Sequence, residues 1–198
     1  MGLSDETFSE LILVLKIGSC IHVQPLGVKY DGVFLKSRVF KSTKLHDIMK
    51  VGLKGSLNII YDIRAYFEPI LYGKLKTLKI VGGIPYIASS NAVIFIKVEK
   101  VMSNGDYSWV YFKPLSINII DTVPKAPNRV FPALIEALIH LTRVKYYTSI
   151  GELEEALKFR EKIKFCLEIL SHATENKFYI NIGEEILSTV EKIIRGLR

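Results

Sequence analysis

RVFKSTKLHDIMK, Arg38 to Lys50, is the stretch on which the reading of this chain turns. Before it, VFLKSRVF has the length and composition of a strand. After Lys44, Leu45, Ile48 and Met49 recur at helical spacing. Arg38, Lys41, Ser42, Thr43 and Lys44 therefore crowd a strand-to-helix junction. Two readings stand side by side. In the first, Ser42 is an N-cap and the cations extend into water from a solvated turn. In the second, a helix beginning near Ser42 leaves its first amides unpaired and partially positive, and the junction cradles a phosphate. Ser42 and Thr43 would then donate hydroxyl hydrogen bonds while Arg38 and Lys44 supply charge.

Working outward, LILVLKI and CIHVQPLGV precede the junction as strand candidates, parted by Gly-Ser, and a Tyr-Asp-Gly turn leads into VFLKSRVF. SLNIIYD follows, and its β-branched run predicts a buried strand. AVIFIKVEKVM and YSWVYFKPLSINII flank Ser103-Asn104-Gly105-Asp106, in which Asn-Gly is a strong hairpin signal. Residues 63–90 show no clear period, and GGIPY and ASSN read as loop. Many strands with one helix among them predict a small closed barrel rather than a doubly wound sheet. Past TVPKAPN the period becomes helical. Asn128 is placed to cap a helix running to about Tyr146, GELEEALKFREKIKFCLEILSHA reads as a second, and INIGEEILSTVEKIIRGLR as a third. In the first of these, Arg129, Glu136, His140 and Arg143 share one stripe opposite Val130, Leu134, Leu138 and Leu141. The stripe is either an exposed ion-pair ladder or a ligand-facing or dimer-facing surface.

The 198 residues suffice for one domain with a helical appendage, and 49% hydrophobic content argues against disorder. No apolar run approaches the roughly 20 residues that span a bilayer, so no membrane segment is expected. Cys20 and Cys166 match no metal spacing, and a reduced cytoplasmic setting is the expectation. The net charge of +7 permits an anionic ligand, but the cations are interleaved with acids, which disfavours nucleic acid. His22, His46, His140 and His172 form no zinc pattern, and neither a nucleophile elbow nor a Walker loop is present.

Three stretches together resemble one family: QPLGVKYDGVFLKSRVFKSTKLHDIMKVG, LNIIYD with Asn58 and Asp62, and NRVFPALIEALIHLTR with Asn128, Arg129, Glu136, Ala137, Thr142 and Arg143. They are similar to domain-of-unknown-function family 447, a mainly archaeal subgroup of the FMN-binding split-barrel, flavin reductase-like superfamily. The resemblance implies an α+β chain. Residues 1–123 would form an antiparallel, Greek-key-like split β-barrel that binds flavin, and residues 124–198 a C-terminal extension of three helices packed on the barrel. It implies an FMN-binding protein: a flavin reductase-like oxidoreductase of unknown substrate or, alternatively, a non-catalytic carrier, store or sensor. A homodimer with flavin at the subunit interface and a nicotinamide or deazaflavin electron donor belong to the same expectation. Carried over by position, Arg38, Ser42, Thr43 and Lys44 hold the FMN phosphate. His22, Val23 and Gln24 lie along the isoalloxazine ring, Asn58 and Asp62 face the pocket, and Arg129 belongs to the helix signature without an assigned role. Gln24 departs from the family pattern, which commonly has a small residue before the proline.

Overall fold

A computed structural model describes residues 3–73, 75, 77–121 and 128–196. The chain divides into two compact units, Met1–Val123 and Pro124–Arg198, and each is described by itself.

The first unit is a closed antiparallel barrel of six strands, in the order β1-β2-β3-β8-β7-β4. Its strands are β1 (Ser9–Ile17), β2 (Cys20–Tyr30), β3 (Leu35–Phe40), β4 (Lys54–Ile59), β7 (Ala92–Asn104) and β8 (Tyr107–Ile119). Leu11, Leu13 and Leu15 of β1 alternate into the barrel, where they meet Leu26, Leu35, Leu57, Ile94, Ile96 and Phe112. Ile12 and Val14, on the other face of β1, are buried as well, so the whole LILVL run is apolar. A short helix, α1 (Lys44–Ile48), follows β3 and sends Leu45 into the same core, with Met49 just beyond it.

Glycine shapes the tight hairpins. Ile17 pairs with Cys20 and Asn104 with Tyr107, so Gly18 and Gly105 each open a two-residue turn, with φ of +59° and +54°. The second turn is thus Gly105-Asp106, while Asn104 remains in β7 and donates from Nδ2 to Tyr107 Oη at 2.8 Å. In the β2–β3 turn, Asp31 Oδ1 accepts from the amides of Phe34 (2.8 Å) and Val33 (3.1 Å). The Phe34 amide is the main reason its carboxyl lies below the usual range.

Residues 63–90 are more ordered than their sequence suggests. They contain α2 (Arg64–Tyr72) and a hairpin of β5 (Leu78–Val81) and β6 (Ile84–Ile87), so GGIPY is turn and strand rather than loop. Pro69 inside α2 and four-residue strands leave little periodicity to read. Tyr66 of α2 donates its hydroxyl to Glu10 O at 2.9 Å, and burial pushes its phenol well above the ordinary value.

The second unit contains α3 (Val130–Ser149), α4 (Leu153–Ala173) and α5 (Lys177–Arg195). Asn128 Oδ1 accepts from the amides of Val130 and Phe131, both at 3.1 Å, at the start of α3. Leu134, Leu138 and Leu141 of α3, Ile163 and Leu170 of α4, and Ile186, Val190 and Ile194 of α5 are buried. A Cβ on Gly183 of α5 would lie 2.9 Å from the side chains of Leu167 and Leu170, so a close approach of α5 to α4 requires the glycine. No described helix is long and apolar enough to cross a membrane.

Candidate functional site

The barrel closes weakly at one seam. β2 and β3 pair only at Lys29↔Lys36 and Tyr30↔Leu35, and beyond Lys36 the ladder stops. β3 stays paired with β8 through Phe40, and β2 stays paired with β1 through Cys20. One edge of β2 is therefore left without a β3 partner over most of its length. Ser37 Oγ reaches the start of it, donating to Gly27 O at 2.7 Å. Backbone groups alternate between the two neighbours of an antiparallel strand. Since the Gly27 carbonyl faces β3, the backbones of Pro25, Val23 and Ile21 also turn to that edge. Among the described residues no β3 partner pairs the Val23 N–H and C=O there, while Pro25 has only a carbonyl to offer.

The side chains of His22 and Gln24 project to the opposite side from that of Val23. They pair with Leu15 and Leu13, which face the barrel interior, and cross-strand partners share a face. The two are half-buried and joined, His22 Nε2 to Gln24 Oε1, at 3.2 Å. No pairing joins β2 and β3 from Ser37 to Phe40, where β3 ends and the turn carrying Ser42 begins.

At that junction α1 begins at Lys44 rather than near Ser42, with Thr43 as N-cap and no side-chain capping bond. Thr43, expected at the phosphate, is bonded within the turn. Its Oγ1 donates to Phe40 O at 2.7 Å and its amide donates to the same carbonyl at 3.0 Å, so its hydroxyl proton is used within the turn. Ser42 and Lys44 are exposed and have no hydrogen-bond or ion-pair partner among the described residues. Lys41 anchors the turn through its amide, which donates to Asp106 O at 2.9 Å. Arg38 points outward from β3 toward aromatic faces, its guanidinium 4.6 Å from the Phe8 ring centre and 6.0 Å from that of Tyr107. Lys29 Nζ also lies 4.6 Å from the Phe8 ring centre, while Phe8 stacks with Trp109 at 6.5 Å.

Asn58 and Asp62 serve other ends. Asn58 is 0% exposed, and its bonding capacity is used inside the chain. Nδ2 donates to Ile12 O and Ser56 Oγ, each at 3.0 Å, and Oδ1 accepts from Ile87 N (2.9 Å) and Ser90 Oγ (3.1 Å). In this structure Asn58, expected to face the pocket, bonds only within the barrel unit. Asp62 accepts from the Arg64 amide at 3.1 Å and pairs with the Arg64 guanidinium at 2.9 Å, at the start of α2. With Glu68, Thr77 and Ser89 it lines a cavity of about 250 Å³. That volume falls below the roughly 300–1,000 Å³ of ordinary ligand pockets. Arg129 lies in the helical unit, exposed, immediately before α3.

Residues 9–121 match the model of the protein of unknown function (DUF447) N-terminal domain. The chain belongs to this family. No curated protein matches the DUF447 chain. Among solved structures, an FMN-bound DUF447 protein from Methanosarcina mazei aligns with a TM-score of 0.70 at 19% identity, covering 94% of this chain and 95% of that one. Flavoredoxin from Methanosarcina acetivorans aligns at 0.49 and 11% identity, covering 63% and 75%. The styrene monooxygenase flavin reductase from Pseudomonas putida S12 aligns at 0.49 and 9% identity, covering 58% and 83%. The first of these carries the fold: this DUF447 chain is a split barrel followed by C-terminal helices.

Sequence reasoning passed over Phe8, Trp109, His46 and Ser108 near the DUF447 junction. Trp109 stands opposite Arg38 across the β3–β8 ladder, and His46 Nε2 lies 3.1 Å from Ser108 Oγ. The outward alternation of Tyr107, Trp109 and Tyr111 in YSWVYF was the available signal for the aromatic wall. The His46–Ser108 contact spans 62 positions and left no local trace.

Proposed function

We propose that the barrel unit binds FMN across the β2–β3 seam and serves as a flavin reductase-like oxidoreductase. The observation that carries the reading is the two-rung seam. It leaves the Cys20–Val28 stretch of β2 without a β3 ladder partner, while Ser42 and Lys44 follow β3 without partners among the described residues, so backbone groups and positive charge would both be available to one ligand. A flat heteroaromatic ring with a polar edge and an anionic tail matches both. The family's FMN-bound member from Methanosarcina mazei supports the choice of flavin.

In this arrangement Ser42 Oγ donates to the phosphate and Lys44 neutralises it, while Arg38, held by Phe8, contributes charge from the outer wall. Val23 N–H and C=O would address the ring's polar edge, with the Pro25 C=O available on the same side of β2. An N–H there would stabilise negative charge on the reduced ring. FMN, when bound, supplies the redox chemistry, and the chain supplies position and electrostatics. The electron donor is a reduced nicotinamide or a deazaflavin. The active form is a homodimer in which a second copy closes the seam. An exposed free thiol at Cys20 suits a reduced, cytoplasmic compartment.

Trp109 is the single tryptophan, and it stands on the wall beside Arg38. Titration with FMN should quench its fluorescence with saturation at one flavin per chain, and a reduced nicotinamide or deazaflavin should bleach the flavin colour catalytically. Unquenched fluorescence with no bound flavin in dialysis would overturn the reading. Sedimentation should report a dimer.

A further inference from the structure

We propose that His46 is the positioning residue of the phosphate cradle, setting through Ser108 where Ser42 and Lys44 stand. The inference rests on the FMN reading above and adds to it a residue that touches no ligand.

A five-residue helix has no stability of its own, and α1 also lacks a side-chain cap. Its place depends on what it is tied to. Leu45 and Met49 enter the barrel core, but apolar contacts are non-directional and resist extraction better than rotation. The directional tie is His46 Nε2 to Ser108 Oγ at 3.1 Å, the one side-chain hydrogen bond from α1 to the barrel wall among the described residues. Ser108 is 2% exposed and stands opposite Val39 on β8. Its buried hydroxyl has no other side-chain partner among the described residues, and leaving such a group unpaired is costly.

The same hairpin holds the other end of the cradle. Lys41 N donates to Asp106 O, two residues before Ser108. Ser42 and Lys44 are therefore bracketed by two hydrogen bonds to one stretch of β7–β8, one made before them and one after. With the His46 tie in place, a small rotation of α1 is opposed and the Lys44 stem keeps its origin. Without it, the two phosphate donors lose their common aim. A nucleophilic role for Ser108 is excluded by its burial. The 4.0 Å separation of His46 Nδ1 from Asp47 Oδ1 is also too long for the hydrogen bond such a triad requires.

The test compares FMN with riboflavin, which lacks only the phosphate, by Trp109 quenching in wild type, His46→Ala, His46→Gln and Ser108→Ala. Wild type should favour FMN strongly. His46→Ala should weaken FMN roughly fivefold to tenfold and leave riboflavin within about twofold. His46→Gln, whose amide reaches the place of the imidazole Nε2, should recover most of the loss. Ser108→Ala, the milder change for folding, should repeat the His46→Ala pattern. Equal weakening of both flavins, failure of His46→Gln to recover the FMN preference, or full FMN preference retained in His46→Ala and Ser108→Ala would overturn the positioning role alone. Equal affinity of wild type for the two flavins would instead overturn the cradle itself.

Discussion

Asn58 and the Ser42–Lys44 junction are both polar groupings within a β-barrel, and they differ in what their polar atoms face. Asn58 is enclosed, and both ends of its amide bond to a strand, a hairpin or a buried hydroxyl. Ser42 and Lys44 are exposed and bond to nothing described. The first grouping is an internal brace that fastens β6 to the β1–β4 wall. The second retains unspent capacity for something outside the chain. A polar residue among strands is thus classed by saturation rather than by type, and saturation is a tertiary property.

The largest expected effect is on the brace. Asn58→Ala strands the buried Ile87 amide and Ser90 hydroxyl and takes one bond each from the Ile12 carbonyl and the Ser56 hydroxyl, which still donates to Pro85 O. It should lower unfolding free energy by about 4 kcal/mol. Denaturant titration should show it, while FMN affinity of the remaining folded protein stays near wild type. A large loss of FMN affinity with unchanged stability would erase the contrast. Next comes the junction. Ser42→Ala with Lys44→Ala should weaken FMN about a hundredfold, equivalent to about 3 kcal/mol, with little change in melting temperature. FMN binding at full strength in the folded double variant would sink the cradle.

The wall next to the brace can be probed by packing alone. A Cβ on Gly55 would lie 2.5 Å from Leu15 Cδ2 and 2.6 Å from the Val14 carbonyl oxygen. Gly55→Ala should therefore cost about 2 kcal/mol, whereas Gly52→Ala has free space and suffers only from its φ of +89°. Equal stability of wild type and Gly55→Ala would show that the wall yields more readily than its spacing indicates.

The smallest expected effect lies in the helical unit. Burial chiefly holds the His140 pKa below its ordinary value, aided by Lys162 and Arg143 and opposed by Glu136. The folded chain then binds this proton less readily than the unfolded one. Stability contributed by the neutral ring is present above about pH 6.5 and declines as pH falls toward the lower folded value. Melting curves from pH 7.5 to 5 should drop less in His140→Asn than in wild type. Parallel curves would assign the pH dependence to other groups.

The strands were legible wherever one face is apolar and turns are marked, as in LILVLKI and in the long β7–β8 hairpin. The three C-terminal helices were legible from period. Residues 63–90 were not, because Pro69 sits within α2 and the β5–β6 strands are too short to establish alternation. At the site, the crowding of Ser42 and Lys44 was visible locally. The spending of the Thr43 proton on Phe40 O and the burial of Asn58 were not, since each depends on where a carbonyl or a hairpin arrives in space. The His46–Ser108 tie lies beyond any local pattern for the same reason.

Pro25 has a further consequence for how the protein survives in a crowded solution. A bare strand edge invites a foreign strand to zip along it. Because Pro25 turns its nitrogen, which carries no hydrogen, toward the seam, a visiting strand would find a missing rung midway between Val23 and Gly27. A small flat guest needs only the groups around Val23 and does not meet that gap. If the proposed flavin site is correct, the imino acid would leave the seam open to a compact ligand while interrupting any strand that pairs along it.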